Sequence, residues 1–315
     1  MTGAEYGIQP ALIPHGKPIL VTGLHGQLAQ ALAAQGGPRI RLAGRPELDF
    51  DHPATLATTV ARVAPAAIIN AAAWTHVDLA ESEPAAATRA NRDAPHTLAR
   101  LCAERGIPLL HISTDYVFDG LKGTPYTESD PTSPRCVYGR TKAEGEEAVL
   151  RTHAQSIVLR TAWVYSAHGK NFVRSILNAG QQQPQLRVVD DQRGNPTSAD
   201  DLAWTILRIL CQIEHTGWQE RYAGLVHACG TGDASWYELA VQTFKAAARH
   251  GLTAPDIVPI ATKDWPTAAP RPADTRLNTG RLHQTFGLTL PHWQGSLHNT
   301  VHQILSTSPQ KEAQN

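Results

Sequence analysis

The chain has 315 residues, with 28 Lys+Arg against 28 Asp+Glu and a hydrophobic content of 42%. A formal charge of zero argues against general electrostatic attraction to nucleic acid or an anionic membrane. The four cysteines, Cys102, Cys136, Cys211 and Cys229, show no CxxC or zinc spacing, so free thiols in a reducing compartment are expected.

In chain order, residues 18–22 (PILVT) read as a strand, 23–26 as a turn and 27–35 as a helix. A second strand is expected over 39–43, a helix starting on proline over 53–63, and a third strand over 66–70. Residues 81–105 have a helical pattern, in two pieces around Pro95. A fourth strand follows over 107–113, then a helix carrying Tyr138, then a fifth strand over 156–160. This alternation predicts an α/β protein with a Rossmann-type, doubly wound parallel sheet. The strands are almost continuously apolar, which suits a sheet covered on both faces. In the second half, helices are expected over 172–179, 200–213 and 236–250, and strands over 186–189 and 225–228. Residues 264–278 form a Pro-rich loop bearing arginines.

The expected organisation is a loose extension over 1–16 and a dinucleotide-binding domain over 17–165, to which later segments return. A smaller substrate-binding region over 166–305 and a frayed tail over 306–315 complete it. The start of the chain has no cationic segment leading into an apolar core. The apolar stretch 203–213 is too short to cross a bilayer, so a cytoplasmic protein is expected.

The segment Thr22-Gly23-Leu24-His25-Gly26-Gln27-Leu28-Ala29 is a GxxGxxA turn between the first strand and the first helix. Glycines let the backbone approach a pyrophosphate, and the helix N-terminus offers free N–H groups. Gly23, His25, Gly26, Gln27 and Leu28 are therefore candidate cofactor contacts. At the end of the second strand, an acid would select NAD and an arginine NADP. Here Gly44 stands where the acid belongs and Arg45 follows it, which predicts NADPH, with NADH as the alternative donor. Asp49 and Phe50 are expected near the adenine. Ala72, Ala73, Trp74 and Thr75, after the third strand, are expected to lie along the cofactor.

Tyr138 and Lys142 are four apart on one helix and so share a face. An ammonium beside a phenol is expected to lower the phenol pKa and tune it as a proton donor. Ser113 and Thr114 end the fourth strand, where ligands bind in open α/β sheets, and can donate to a substrate oxygen.

These residues carry a resemblance. TGLHGQLA, INAAAWTHVDLAE, ISTDYVFDG, YGRTKAEGE, LRTAWVYSAHGKNFV, VVDDQRGNPT and RPADTRL resemble the extended short-chain dehydrogenase/reductase superfamily. Within it, they resemble the dTDP-4-dehydrorhamnose reductase family, over nearly all of residues 17–305. The resemblance implies hydride transfer from NADPH to C4 of a 4-keto nucleotide sugar. Tyr138 would supply the proton, Lys142 would tune it and hold the nicotinamide ribose, and Thr114 would align the keto oxygen. It also implies substrate contacts at Asp115 and Trp163, and contacts to the nucleotide diphosphate-sugar at Asn171, Gln192, Asn195 and Arg271. Some relatives place acidic residues at a metal-assisted dimer contact. The first helix here has none, so no metal is expected, though a homodimer is compatible. The Asp190-Asp191 pair is expected to be solvated. Competing readings are another nucleotide-sugar 4-reductase or 4-epimerase, and a non-catalytic subunit resembling the regulatory subunit of methionine adenosyltransferase.

Overall fold

The computed structural model describes residues 16–307, so most of the expected extension and tail lies outside the described residues. Its centre is a six-stranded parallel sheet. Five strands come from the first half: β1 (Ile19–Thr22), β2 (Ile40–Ala43), β3 (Ala67–Asn70), β4 (Leu109–Thr114) and β5 (Ser156–Thr161). The sixth, Gly224–His227, returns from the second half to pair with β5. The spatial order is β2-β1-β3-β4-β5 and then Gly224–His227. Chain direction across the sheet switches between β1 and β3, which opens a crevice at their carboxyl ends.

Strand alternation sends side chains to two covered faces. Ile19, Val21, Ile69, Leu110 and Leu159 pack on one face, under α1 (Gln27–Gly36) and the later helix Ala199–Thr216. Leu20, Ile68, Leu109 and Val158 pack on the other, under α2 (Ala54–Val63) and residues of the following helices. A separate core, including Tyr165, Val173, Leu177, Leu239, Phe244 and Trp293, sits in the second half. Among the described residues, no helix is long and apolar enough to cross a membrane.

Several boundaries differ from expectation. Arg39 lies in a short 3-10 turn (Gly37–Arg39), not in β2. The helical stretch around 81–105 is four pieces: α3 (Val77–Ser82), α4 (Pro84–Thr88), a π turn (Arg89–Asp93) and α5 (Ala94–Ala103). Pro84 sits in the first turn of its piece, where the missing N–H costs nothing, whereas Pro95 follows the π turn directly within one continuous helical run. The π turn presents Asn91, whose side chain accepts Trp74 N–H at 2.9 Å and donates to Thr141 Oγ1 at 3.1 Å. A strand over Asp256–Ile260 pairs in parallel with Gln185–Val189, and a helix spans Trp293–Thr307. Neither was expected from the periodicity.

Candidate active site

Gly23 adopts φ +98°, and a Cβ there would meet the Ala72 backbone at 3.3 Å. Glycine is therefore required where the first turn meets the loop after β3. The Ala72 N–H donates to Thr22 Oγ1 at 3.0 Å, and Thr22 in turn donates to Asn70 Oδ1 at 2.6 Å, which fixes that loop. α1 begins at Gln27 with no side-chain cap and no acid in its first turn. Its first N–H groups are thus open to an anion. This cradle, beside the Ala71 and Ala72 backbone, fits a pyrophosphate. Leu28 turns into the core and His25 is exposed. Gln27 Oε1 accepts from Ser166 Oγ at 3.0 Å and from Asn171 Nδ2 at 2.9 Å, tying the turn to the second half of the chain.

At the tip of β2, a Cβ on Gly44 would lie 2.9 Å from Leu24 Cβ, so the usual acid position is sterically closed. Arg45 is exposed. Its Nε donates to Asp49 at 3.0 Å and its Nη2 to Asp51 at 2.7 Å. Asp49 thus orients Arg45. Hydrogen bonds from His52, the Asp51 N–H and Arg45 hold its carboxyl below the ordinary range. Phe50 packs partly into the core against the α2 side of the sheet. Trp74 is half-buried, and Thr75 is exposed beyond it.

Thr114 ends β4 and caps the single turn Asp115–Val117, its hydroxyl accepting Tyr116 N–H at 3.3 Å. α6 (Val137–Thr152) starts at Cys136, whose Sγ accepts Gly139 N–H at 3.4 Å. The helix is pressed onto that turn: a Cβ on Gly139 would lie 2.1 Å from the Tyr116 carbonyl oxygen. Gly145 meets the Asn91 carbonyl under the same constraint. Close approach brings Tyr138 up to Thr114, whose side chain acts on the titration of its phenol. The Tyr138 ring also meets Tyr116 edge-on at 5.7 Å.

Lys142 is buried, and its Nζ donates to the Ile112 carbonyl at 2.6 Å. Burial pushes the Tyr138 phenol above its ordinary value, against the opposite pull of Thr114. Burial also brings Lys142 down to about 8, opposed by the Glu146 carboxylate. The expectation that Lys142 lowers the tyrosine pKa is therefore not met in this arrangement. The ammonium is engaged by Ile112, and desolvation dominates at both groups. A phenol held high stays protonated through neutrality, which is the form a proton donor needs. One turn on, Glu146 makes a buried, two-pronged ion pair with Arg160 at 2.9 and 2.6 Å. That pair locks α6 to β5.

Asp115 is buried at 2% exposure; its Oδ1 accepts from Thr114 at 3.0 Å and its Oδ2 from Thr275 at 2.5 Å. Burial raises its carboxyl to about 6. Asp115 thus joins the fourth strand to the 264–278 loop. Ser113 is also buried, and its hydroxyl has no hydrogen-bond partner.

Trp163, an expected substrate contact, has a left-handed backbone at φ +47°, unusual for a bulky residue. It stacks on Trp236 with ring centroids 3.6 Å apart and planes 5° from parallel. Arg271 donates to Asp78 at 2.7 Å and to the Ala269 carbonyl at 3.0 Å. Its charge is felt at Tyr116 and Cys136, the neighbours of Tyr138.

Three expected substrate contacts are engaged within the fold. Asn171 caps the helix Phe172–Gly180 and reaches Gln27. Gln192 accepts from Trp236 Nε1 at 3.1 Å and donates to Thr262 at 3.0 Å. Asn195 donates to the Gly232 carbonyl at 2.8 Å and accepts from the Leu277 N–H at 2.8 Å. Asp190 and Asp191 are exposed, as expected, and also accept from Ser235 and Thr262. Thr275, Asp78, Trp236 and Cys136 escaped the sequence reading. Thr275 and Asp78 carried a signal, since they lie in the RPADTRL and INAAAWTHVDLAE segments.

Known proteins resemble this chain in sequence and fold. The family model described as RmlD substrate binding domain matches residues 17–306. A dTDP-4-dehydrorhamnose reductase of Sinorhizobium fredii is 41% identical over 91% of this chain and 97% of its own length. A probable dTDP-4,6-dihydroxy-2-methyloxan-3-one 4-ketoreductase of Streptomyces antibioticus is 38% identical over 91% of this chain and 95% of its own. Among solved structures, the Bacillus anthracis dTDP-4-dehydrorhamnose reductase in complex with NADP superposes with a TM-score of 0.83. It is 30% identical, covering 91% of this chain and 99% of that one. With a parallel sheet, a glycine turn at its switch point and a Thr–Tyr–Lys cluster two strands away, the chain belongs to the dTDP-4-dehydrorhamnose reductase family of oxidoreductases.

Proposed function

We propose that this chain reduces the C4 keto group of dTDP-4-dehydro-L-rhamnose to the alcohol of dTDP-L-rhamnose, using NADPH. The observation that carries the reading is the convergence of Thr114, Tyr138 and Lys142 at the carboxyl end of β4. The Gly23–Ala72 cradle lies two strands away, in a chain 41% identical to a named reductase. When bound, the nicotinamide supplies a hydride to the carbonyl carbon.

The chain's own residues handle the oxygen. Tyr138 donates its phenolic proton to the developing alkoxide, and the raised phenol keeps that proton available at neutral pH. Thr114 now donates to Asp115, so it must turn its hydroxyl to the keto oxygen as substrate enters. Lys142 keeps a positive charge beside the tyrosine and offers its remaining donors to the nicotinamide ribose. Trp163 presents a flat face to the sugar, and Arg271 exchanges Asp78 for the diphosphate.

A second reading, reduction of a different dTDP-linked 4-keto sugar, is favoured by the likeness to the Streptomyces antibioticus relative. The test is loss of NADPH absorbance on adding dTDP-4-dehydro-L-rhamnose, with product identified by mass and sugar stereochemistry. Tyr138→Phe should lower kcat by about a hundredfold or more while leaving cofactor binding within about twofold. No substrate-dependent oxidation, or full turnover by Tyr138→Phe, would overturn the assignment. Tightly retained cofactor with no net oxidation would instead indicate an epimerase.

A further inference from the structure

The cofactor assignment above is the basis for a finer inference at the tip of β2. Asp49 and Asp51 treat Arg45 differently. Asp49 has only 16% side-chain exposure. Its carboxylate takes Arg45 Nε at 3.0 Å, the Asp51 N–H at 3.1 Å and the His52 ring at 3.0 Å. Its own N–H donates to Thr55 Oγ1 at 2.9 Å. It is an anchor that aims the guanidinium.

Asp51 is 40% exposed and divides its two oxygens between two arginines. Oδ2 accepts from Arg45 Nη2 at 2.7 Å, and Oδ1 accepts from Arg89 Nε at 2.9 Å. Arg89 comes from the π turn, 44 positions along the chain from Arg45. Two guanidinium groups converging on one small oxyanion are what a phosphate monoester also requires, since each presents planar donors to paired oxygens.

We propose that the 2′-phosphate of the cofactor exchanges with the Asp51 carboxylate between Arg45 and Arg89, so that Arg89 is the second arginine selecting NADPH. The exchange is physically easy. Exposed ion pairs contribute about 0–1 kcal/mol, and an exposed aspartate can turn outward into water. A phosphate monoester carries a charge of about −1.5 to −2 and three acceptor oxygens, so it outcompetes a single carboxylate for two arginines. The closed Gly44 position removes the acid that would favour the 2′-hydroxyl instead.

Calorimetric titration of the full chain with 2′,5′-ADP and with 5′-AMP tests this without catalysis. NADP⁺ and NAD⁺ titrations and melting temperatures run in parallel. Wild type should bind 2′,5′-ADP more tightly than 5′-AMP. Arg89→Ala should weaken 2′,5′-ADP and NADP⁺ by about 3- to 10-fold and leave 5′-AMP and NAD⁺ within about twofold. Asp51→Asn should tighten 2′,5′-ADP and leave 5′-AMP unchanged, and added salt should narrow both differences. Equal weakening of both probes by Arg89→Ala, no change for 2′,5′-ADP, or weaker 2′,5′-ADP binding by Asp51→Asn would each overturn the proposal. If neither probe binds the wild type, both this proposal and the cofactor reading fall. Selective binding without reduction of the sugar would remove only the proposed reaction.

Discussion

Replacing Gly139 by alanine tests how the site is assembled. The added methyl would lie 2.1 Å from the Tyr116 carbonyl oxygen. A carbon and a carbonyl oxygen in contact sit about 3.3 Å apart or more, so about 1.2 Å must be recovered. Both partners are backbone-borne, and α6 is fixed further along by the buried Glu146–Arg160 pair. The N-terminal turn of α6, carrying Tyr138, must therefore pivot away from Thr114. A misplacement of about 1 Å at a reacting group costs about a hundredfold in rate. The packing strain should add a stability loss of about 1–3 kcal/mol. Steady-state kinetics should show the loss in kcat, with binding of NADPH, measured by fluorescence titration, much less affected. Gly295→Ala is the control: nothing lies within 4 Å of its added carbon, and it sits inside the helix Trp293–Thr307. That variant should be neutral or slightly stabilising. A Gly139→Ala enzyme with kcat within about threefold of wild type would refute the claim that this close approach positions the tyrosine.

Two further outcomes follow from the buried charges. Arg160→Met leaves the buried Glu146 without its hydrogen-bonded partner, with only the Lys142 charge nearby, and should cost about 3–5 kcal/mol in urea unfolding; a loss below about 1 kcal/mol would contradict this. Burial lowers Lys142 to about 8, so its proton leaves as pH rises through that value. The Tyr138 phenol is raised and stays protonated there. The kcat/KM profile should therefore fall on the alkaline side near pH 8, and an intact rate up to about pH 10 would count against a charged Lys142.

Much of the nucleotide-binding half was legible because its signals are local. Apolar runs of four to six residues, a glycine turn after the first of them and a Tyr–Lys pair at helical spacing each lie within one short window. The π turn at Arg89–Asp93 was hidden because its sequence reads as ordinary helix. Its shape answers to Trp74 and Thr141, which Asn91 contacts from 17 and 50 positions away. The strand Asp256–Ile260 was hidden for a similar reason, since its partner Gln185–Val189 lies far back in the chain.

The sequence by itself determined the strands of the sheet, the glycine turn and the helical spacing of Tyr138 and Lys142, because periodicity and motif spacing are properties of neighbouring residues. Tertiary structure decided what those groups are bonded to. Lys142 points its ammonium at the Ile112 carbonyl, Asp115 reaches Thr275, and Asp51 bridges Arg45 to Arg89. It also decided the direction of the tyrosine shift, against the sequence expectation. Desolvation and ion pairing depend on which distant segments close over a group, and no linear spacing records that.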